Sequence, residues 1–184
     1  MSNLILNNEV SAAEGAAFKA LKSGLYVARV ISVQVREEKK YKSEEMEERL
    51  AFTFDLIREA TGGSIQDIEG EVFNPLTRRM WKSFNKKARY SWQGKIELTN
   101  LGKLLEAVGF DMAAKDIDVS QTIGKILVLT VETKPRATDP SIMKNTVSDV
   151  SRFNGDLAEI QRIVDENEKD ASSDDDLPFS KKKD

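Results

Sequence analysis
The sequence predicts a mainly β (α+β) domain of five strands, with one helix between the third and the fourth. Three observations carry this expectation. Apolar residues alternate with a period of two in residues 25–36 and again in 50–56. A nearly continuous apolar run, GKILVLTVET, fills residues 124–133. Helical spacing of apolar residues is confined to short segments, residues 101–108 and 157–164.

Taken in order, the Ala-rich residues 10–22, interrupted by Gly15, read as a short helix in an N-terminal extension, residues 1–24. Leu25, Val27, Ile31, Val33 and Val35 point one way along a first strand, residues 25–36, with Arg29 the exception among them. Residues 37–48 (EEKKYKSEEMEE) are almost wholly charged and read as a solvated hairpin loop. Leu50, Phe52, Phe54 and Leu56 alternate in a second strand that pairs antiparallel with the first. Thr61-Gly62-Gly63-Ser64 marks a turn. A third strand runs through residues 70–81, where Pro75 implies an edge or a bulge because proline brings no N–H to a ladder, and a long loop, residues 82–96, follows.

Thr99 or Asn100 caps a helix carrying Leu101, Leu104, Leu105 and Val108 on one face, and Gly109 closes it. Residues 124–133 are a fourth, central strand and residues 145–153 a fifth. Asp156 caps a last helix to about residue 166, with Leu157, Ile160, Ile163 and Val164 apolar. After Glu168 the non-polar residues are Ala171, Leu177, Pro178 and Phe179 in a polar background, which predicts disorder. Strand–strand–strand–helix–strand–strand is the order of an OB-fold, a small five-stranded Greek-key barrel. The expected organisation is therefore the extension, an OB-fold domain over residues 25–154, a C-terminal helix over 155–168 and a disordered acidic tail over 169–184.

Composition narrows the chemistry. The chain of 184 residues holds neither cysteine nor histidine. Disulfides, thiolate zinc sites, cysteine nucleophiles and histidine general bases are excluded together. Carboxylate–magnesium chemistry, lysine chemistry or pure binding remain, and binding with no cofactor is the expectation. No apolar run approaches the length of a membrane span, and residues 1–10 lack the basic start and apolar centre of a signal peptide.

The formal net charge of −3 conceals a division along the chain. Residues 72–96 contain no acid but Arg78, Arg79, Lys82, Lys86, Lys87, Arg89 and Lys95, a net of +7. Residues 165–180 carry seven acids and one lysine, a net of −6. Such asymmetry points to a polyanionic partner and to a tail that mimics or repels it.

Within the basic stretch, residues 78–92 (RRMWKSFNKKARYSW) interleave cations with Trp81, Phe84, Tyr90 and Trp92, and both tryptophans of the chain lie here. This is the pattern single-strand binding needs: Arg78, Arg79, Lys82, Lys86, Lys87 and Arg89 follow phosphates while the aromatic rings stack on bases. A duplex hides its base faces, so the same rings would be wasted on it. If about four phosphates are contacted, log affinity falls against log salt with a slope of roughly −3. Lys39, Lys40, Tyr41 and Lys42 in the hairpin loop, and Tyr26 and Arg29 on the first strand, are further candidates.

The segment Asp174-Asp175-Asp176-Leu177-Pro178-Phe179 resembles the acidic tip of bacterial-type single-stranded DNA-binding proteins, in which aspartates precede an aliphatic residue, proline and phenylalanine. The body is more similar to the diverged members of that family from tailed bacteriophages, where a charged hairpin leads to a helix like LGKLLEAVG, residues 101–109 here. The resemblance implies an OB-fold that coats single-stranded DNA in replication, recombination or repair. It also implies a tip that recruits enzymes of those processes, no catalysis, and residence in the cytoplasm of a bacterial host cell. One departure bears on the tip: Ser180-Lys181-Lys182-Lys183-Asp184 follow Phe179, so the phenylalanine lacks the terminal carboxylate that the family's partners grip. A −6 tail tethered near a +7 segment can also compete with DNA in cis, at an effective concentration near millimolar for a short linker.

Two other functions fit some of the residues. An RNA-binding OB-fold module would use the same cations and rings, since discrimination rests on contacts to the 2′-OH. A metal-dependent nuclease would use Asp116 or Asp118 with Glu132 and Lys134, acids and a lysine able to hold Mg²⁺ and orient a water. Oligomeric state is open: residues 10–22 and 156–166 are each able to pack on the domain or to self-associate.

Overall fold
The computed structural model describes residues 19–173. The acidic tip from Asp174 onward and most of the helix expected over residues 10–22 lie outside the described residues. Residues 19–22 lie within them and are not helical: Leu21 bridges Asp67, and the Lys22 N–H donates to the Gln66 carbonyl.

β1 (Gly24–Lys39) and β2 (Met46–Glu59) form a long antiparallel hairpin that takes in most of the charged segment expected to be a loop. Charge does not break this ladder because the hairpin end stands in water. There Lys39 pairs with Glu44 at 2.5 Å, Lys40 with Glu45 at 2.6 Å and Arg49 with Glu47 at 2.8 Å. β3 (Ile65–Gln66) and β4 (Val72–Phe73) make a small separate ladder.

The third strand of the main sheet is β5 (Arg79–Asn85), later than the expected residues 70–81. The chain leaves β4 at Asn74-Pro75, where proline has no N–H to continue a ladder, and turns with Leu76 at a φ of 65° and the Thr77 hydroxyl donating to the Asn74 carbonyl. The expected loop 82–96 is instead the end of β5 followed by a second hairpin, β6 (Arg89–Trp92) and β7 (Lys95–Leu98). Gln93 and Gly94 both have positive φ, 49° and 75°, as a two-residue turn between twisted strands requires.

α1 (Asn100–Ala107) begins where Thr99 accepts from the Gly102 N–H at 3.2 Å, and Gly109 ends it at a φ of 94°. A single 3₁₀ turn, Val119–Thr122, leads into β8 (Ile126–Pro135), which pairs with β9 (Met143–Arg152). α2 (Leu157–Ser173) opens with the Asp156 carboxylate accepting from the Ala158 N–H at 2.9 Å. It runs past the expected end near residue 166, so residues 169–173 of the expected disordered tail are helical.

Among the described residues these elements make a mainly β structure: one five-stranded sheet in the order β5-β2-β1-β8-β9, every pair antiparallel, with two α-helices. Ala28, Val30, Phe52, Phe54, Met80, Phe84, Leu127, Leu129, Val147 and Val150 line its inner face, and Leu101, Leu104 and Leu105 of α1 complete that core. Each of these leucines contributes roughly 1.5–3 kcal/mol by leaving water. A second, smaller cluster forms where Ile160 and Val164 of α2 cover Val27 and Ile57 on the other face. The expected closed barrel is not reached. β5 and β9 come near each other, but no ladder joins them among the described residues; the Lys82 ammonium crosses the gap and donates to the Val147 carbonyl. Among the described residues, no helix is long and apolar enough to cross a membrane.

Candidate nucleic-acid interface
The period of two in β5 sorts the basic–aromatic segment into two faces. Met80, Lys82 and Phe84 turn inward, while Arg79, Trp81 and Ser83 turn outward. The outward side chains extend rows that cross β2 and β1. Trp81 lies opposite Thr53 and then Ser32; Ser83 lies opposite Ala51 and then Gln34. Arg79 donates from Nε to Asp55 at 3.0 Å, and Arg29 stands on the far side of the same carboxylate at 3.7 Å. Asp55 is nearly buried, so its charge is balanced by two guanidiniums rather than by water. At the next turn of the sheet Arg49 donates to the Ser83 hydroxyl at 3.1 Å. The outcome is a polar, cation-rich face with one large ring on its edge strand, β5: Trp81 is 63% exposed.

The β8–β9 loop and the start of β9 bring a second set of cations, Arg136 and Lys144, to that ring. A cavity of about 470 Å³ is lined by Trp81, Arg136, Thr138, Lys144 and Asn145. A neighbouring one of about 490 Å³ lies between Arg79–Ser83 and Lys144–Val147, along the gap between β5 and β9. Arg136 and Lys144 have no neighbours of note in the sequence, and only the approach of β9 to β5 reveals them. Arg49 was equally hidden, being one basic residue in an acid-rich stretch.

A different platform is built on the second hairpin. Tyr90 and Trp92 alternate onto one face of β6, with Glu97 and Lys95 of β7 directly opposite them. Trp92 is 61% exposed, and the Tyr90 hydroxyl donates to Glu97 at 2.7 Å, which raises its pKa. The hairpin is fixed to α1 by the Thr99 N–H on the Ala88 carbonyl at 3.0 Å and by the Thr99 hydroxyl on the Lys87 carbonyl at 2.6 Å. Gly102 permits this approach: a Cβ there would stand 2.1 Å from the Ala88 carbonyl oxygen.

Several expected contact residues are placed elsewhere. Phe84 is a core residue, edge-on to Phe52 with ring centroids 5.4 Å apart, and has no face to offer a base. Its position follows from strand parity, which puts it on the face opposite Trp81. Lys82 shares that parity; burial lowers its pKa, against the pull of Asp149 and Glu132. Arg78 is directed away from the face, its guanidinium 4.0 Å from the Phe73 ring and donating to the Lys19 carbonyl at 3.0 Å. Lys86 is engaged by Glu48 at 2.6 Å. Lys87 and Arg89 are exposed and have no ion pair among the described residues. Tyr41 is 89% exposed at the tip of the β1–β2 hairpin, beside Lys42, while Tyr26 is core. Burial, with Glu59 nearby, pushes the Tyr26 phenol up to about 12, and its hydroxyl donates to the Lys22 carbonyl at 2.7 Å.

Two of the acids considered for metal chemistry, Asp118 and Glu132, have other engagements. Asp118 accepts from the Ser120 N–H at 3.0 Å and its hydroxyl at 2.6 Å, which holds its pKa down, and Glu132 pairs with Lys134. Among the described residues no three potential ligands gather as a metal site requires.

No family model matches the chain, and neither a curated protein nor a solved structure matches it.

Proposed function
We propose that this protein binds single-stranded nucleic acid, DNA foremost, without sequence preference, and coats exposed strands during replication, recombination or repair. The observation that carries the reading is Trp81: an indole 63% exposed on the edge strand β5, with Arg79 on its own strand, Lys144 on β9 and Arg136 in the β8–β9 loop around it. A lone exposed ring on a polar face gains nothing by its exposure to water. Stacked on a base it contributes about 1–3 kcal/mol whatever the base is. Arg79 beside it, and Arg136 and Lys144 across the cavity, supply the positive track that a phosphodiester chain follows. Trp92 and Tyr90 on the second hairpin extend the same alternation of ring and cation.

The order of the sheet supports an OB-type arrangement. Three antiparallel strands, a helix, then two more strands curl until β5 and β9 face each other across the Lys82 bridge. In this reading the acidic residues 174–179 serve as a docking segment for replication or recombination proteins, or as a competitor for the strand path. Titration of the intrinsic tryptophan fluorescence with oligo-dT tests the proposal. Quenching that saturates, and that weakens with salt, is the expected result; unchanged fluorescence with no change in anisotropy of a labelled oligo-dT sinks it. The same titration with oligo-U reads out the preference between deoxyribose and ribose.

A further inference from the structure
We infer that the row Arg29–Asp55–Arg79 is a phosphate subsite of the outer face, and that the carboxylate of Glu168 occupies it in the free protein. The inference rests on the single-strand reading above and adds to it a named phosphate position and a resident competitor.

The geometry starts from Asp55. Its carboxylate is almost buried and lies 3.0 Å from Arg79 and 3.7 Å from Arg29, so it fixes two guanidiniums side by side. Two cations and one acid leave the row with a surplus positive charge. Glu168, from the last turns of α2, meets that surplus at 2.7 Å from Arg29. The pair closes one wall of a cavity of about 500 Å³ whose lining includes Arg29, Asp55, Arg79 and Thr77 from the sheet side and two acids of α2, Glu168 and Asp170.

Glu168 is a weak occupant. Its side chain is 53% exposed, and an ion pair with one partner in water contributes little to the fold. A phosphodiester group offers two free oxygens in a plane, which suits a guanidinium better than a single carboxylate oxygen does. The position is also right for a strand that stacks on Trp81. Arg79 and Trp81 are two residues apart on one face of β5, about 7 Å along the strand, so one nucleotide reaches both.

The test compares full-length wild type with Glu168→Gln and with Glu166→Gln, a charge-matched control on the same helix whose side chain is 67% exposed and faces Arg162. Labelled oligo-dT is titrated by fluorescence anisotropy at low and moderate salt, and melting curves confirm that each variant is folded. Glu168→Gln is expected to bind tighter by up to about fivefold at low salt, the worth of an exposed ion pair. Its log–log salt slope is expected to steepen by about 0.7, because Arg29 then releases a counterion on binding. Glu166→Gln is expected to leave both unchanged, and Arg79→Gln, at a position 69% exposed, to weaken binding. Unchanged affinity in Glu168→Gln, or equal tightening in both glutamine variants, overturns the subsite while single-strand binding stands. No binding by wild type overturns the single-strand reading, and the subsite with it.

Discussion

Replacing Trp81 with alanine separates a stacking platform from a structural residue. The indole is 63% exposed and projects from the outer face, so its removal opens no cavity, and the melting temperature should stay within the small range of surface substitutions. If each stacked base contributes about 1–3 kcal/mol, loss of the ring raises the Kd for oligo-dT by roughly 5- to 150-fold. No charge is lost, so the slope of log affinity against log salt should not change. Anisotropy of a labelled oligo-dT gives the affinities, and thermal unfolding followed by circular dichroism gives the stability. Phe84→Ala is the internal contrast. That ring is buried against Phe52, and truncation should cost about 3–5 kcal/mol of stability, with a large fall in melting temperature. Affinity unchanged in Trp81→Ala with the fold intact would rule out Trp81 as a stacking platform. So would a loss of stability in Trp81→Ala as large as that in Phe84→Ala.

Four further outcomes are expected. Gly102→Ala drives a methyl into the Ala88 carbonyl 2.1 Å away, and should cost about 1–3 kcal/mol by forcing the β6–β7 hairpin off α1, read as a lower denaturant midpoint. Lys144→Glu should weaken oligo-dT binding at low salt and flatten the salt slope by about 0.7 if Lys144 faces one phosphate across the Trp81 cavity. Tyr26 keeps its proton in the folded chain up to about 12, whereas an unfolded tyrosine loses it near 10. Stability from this group is therefore fully present below about pH 10 and lost as pH rises through about 12, so Tyr26→Phe should flatten the alkaline decline in urea-melt stability over that window. A chain ending at Ser173 keeps α2 and Glu168 but lacks the acidic tip, and should bind oligo-dT more tightly at low salt; equal affinity with and without residues 174–184 counts against competition in cis.

Much of this arrangement was legible in residue order. The strands at residues 25–36 and 50–56, the cap at Thr99 with its leucines, and the apolar run from residue 124 all reappear as elements within a few residues. The facing expected in the first strand does not: register shifts in β1 put Tyr26, Ala28, Val30 and Val33 in the main core, Val27 on the other face, and leave Leu25 and Val35 exposed. The candidate interface was legible as a stretch but not as a surface. Which of Trp81, Lys82 and Phe84 faces outward depends on the register of β5, and the expected strand started at residue 70, nine residues too early for the sheet. The hairpin of Arg89–Trp92 and Lys95–Leu98 was signalled by Gln93-Gly94, a weaker turn pair than Asn-Gly and hidden among charges. Charges along residues 37–48 read as a loop because a strand with water on both faces shows no period. Arg136, Lys144 and the pairing of Glu168 with Arg29 arise from contacts between distant segments, and no local pattern encodes them.

The central claim is that the exposed tryptophans read single strands by their bases. The most direct measurement is tryptophan fluorescence of the full chain titrated with oligo-dT and, separately, with a duplex of equal length, each at low and moderate salt. Saturable quenching by oligo-dT that persists, weakened, at the higher salt is expected, with much weaker binding of the duplex, whose base faces are out of reach. Equal affinity for the two, or binding of oligo-dT with no change in fluorescence, would contradict the central claim.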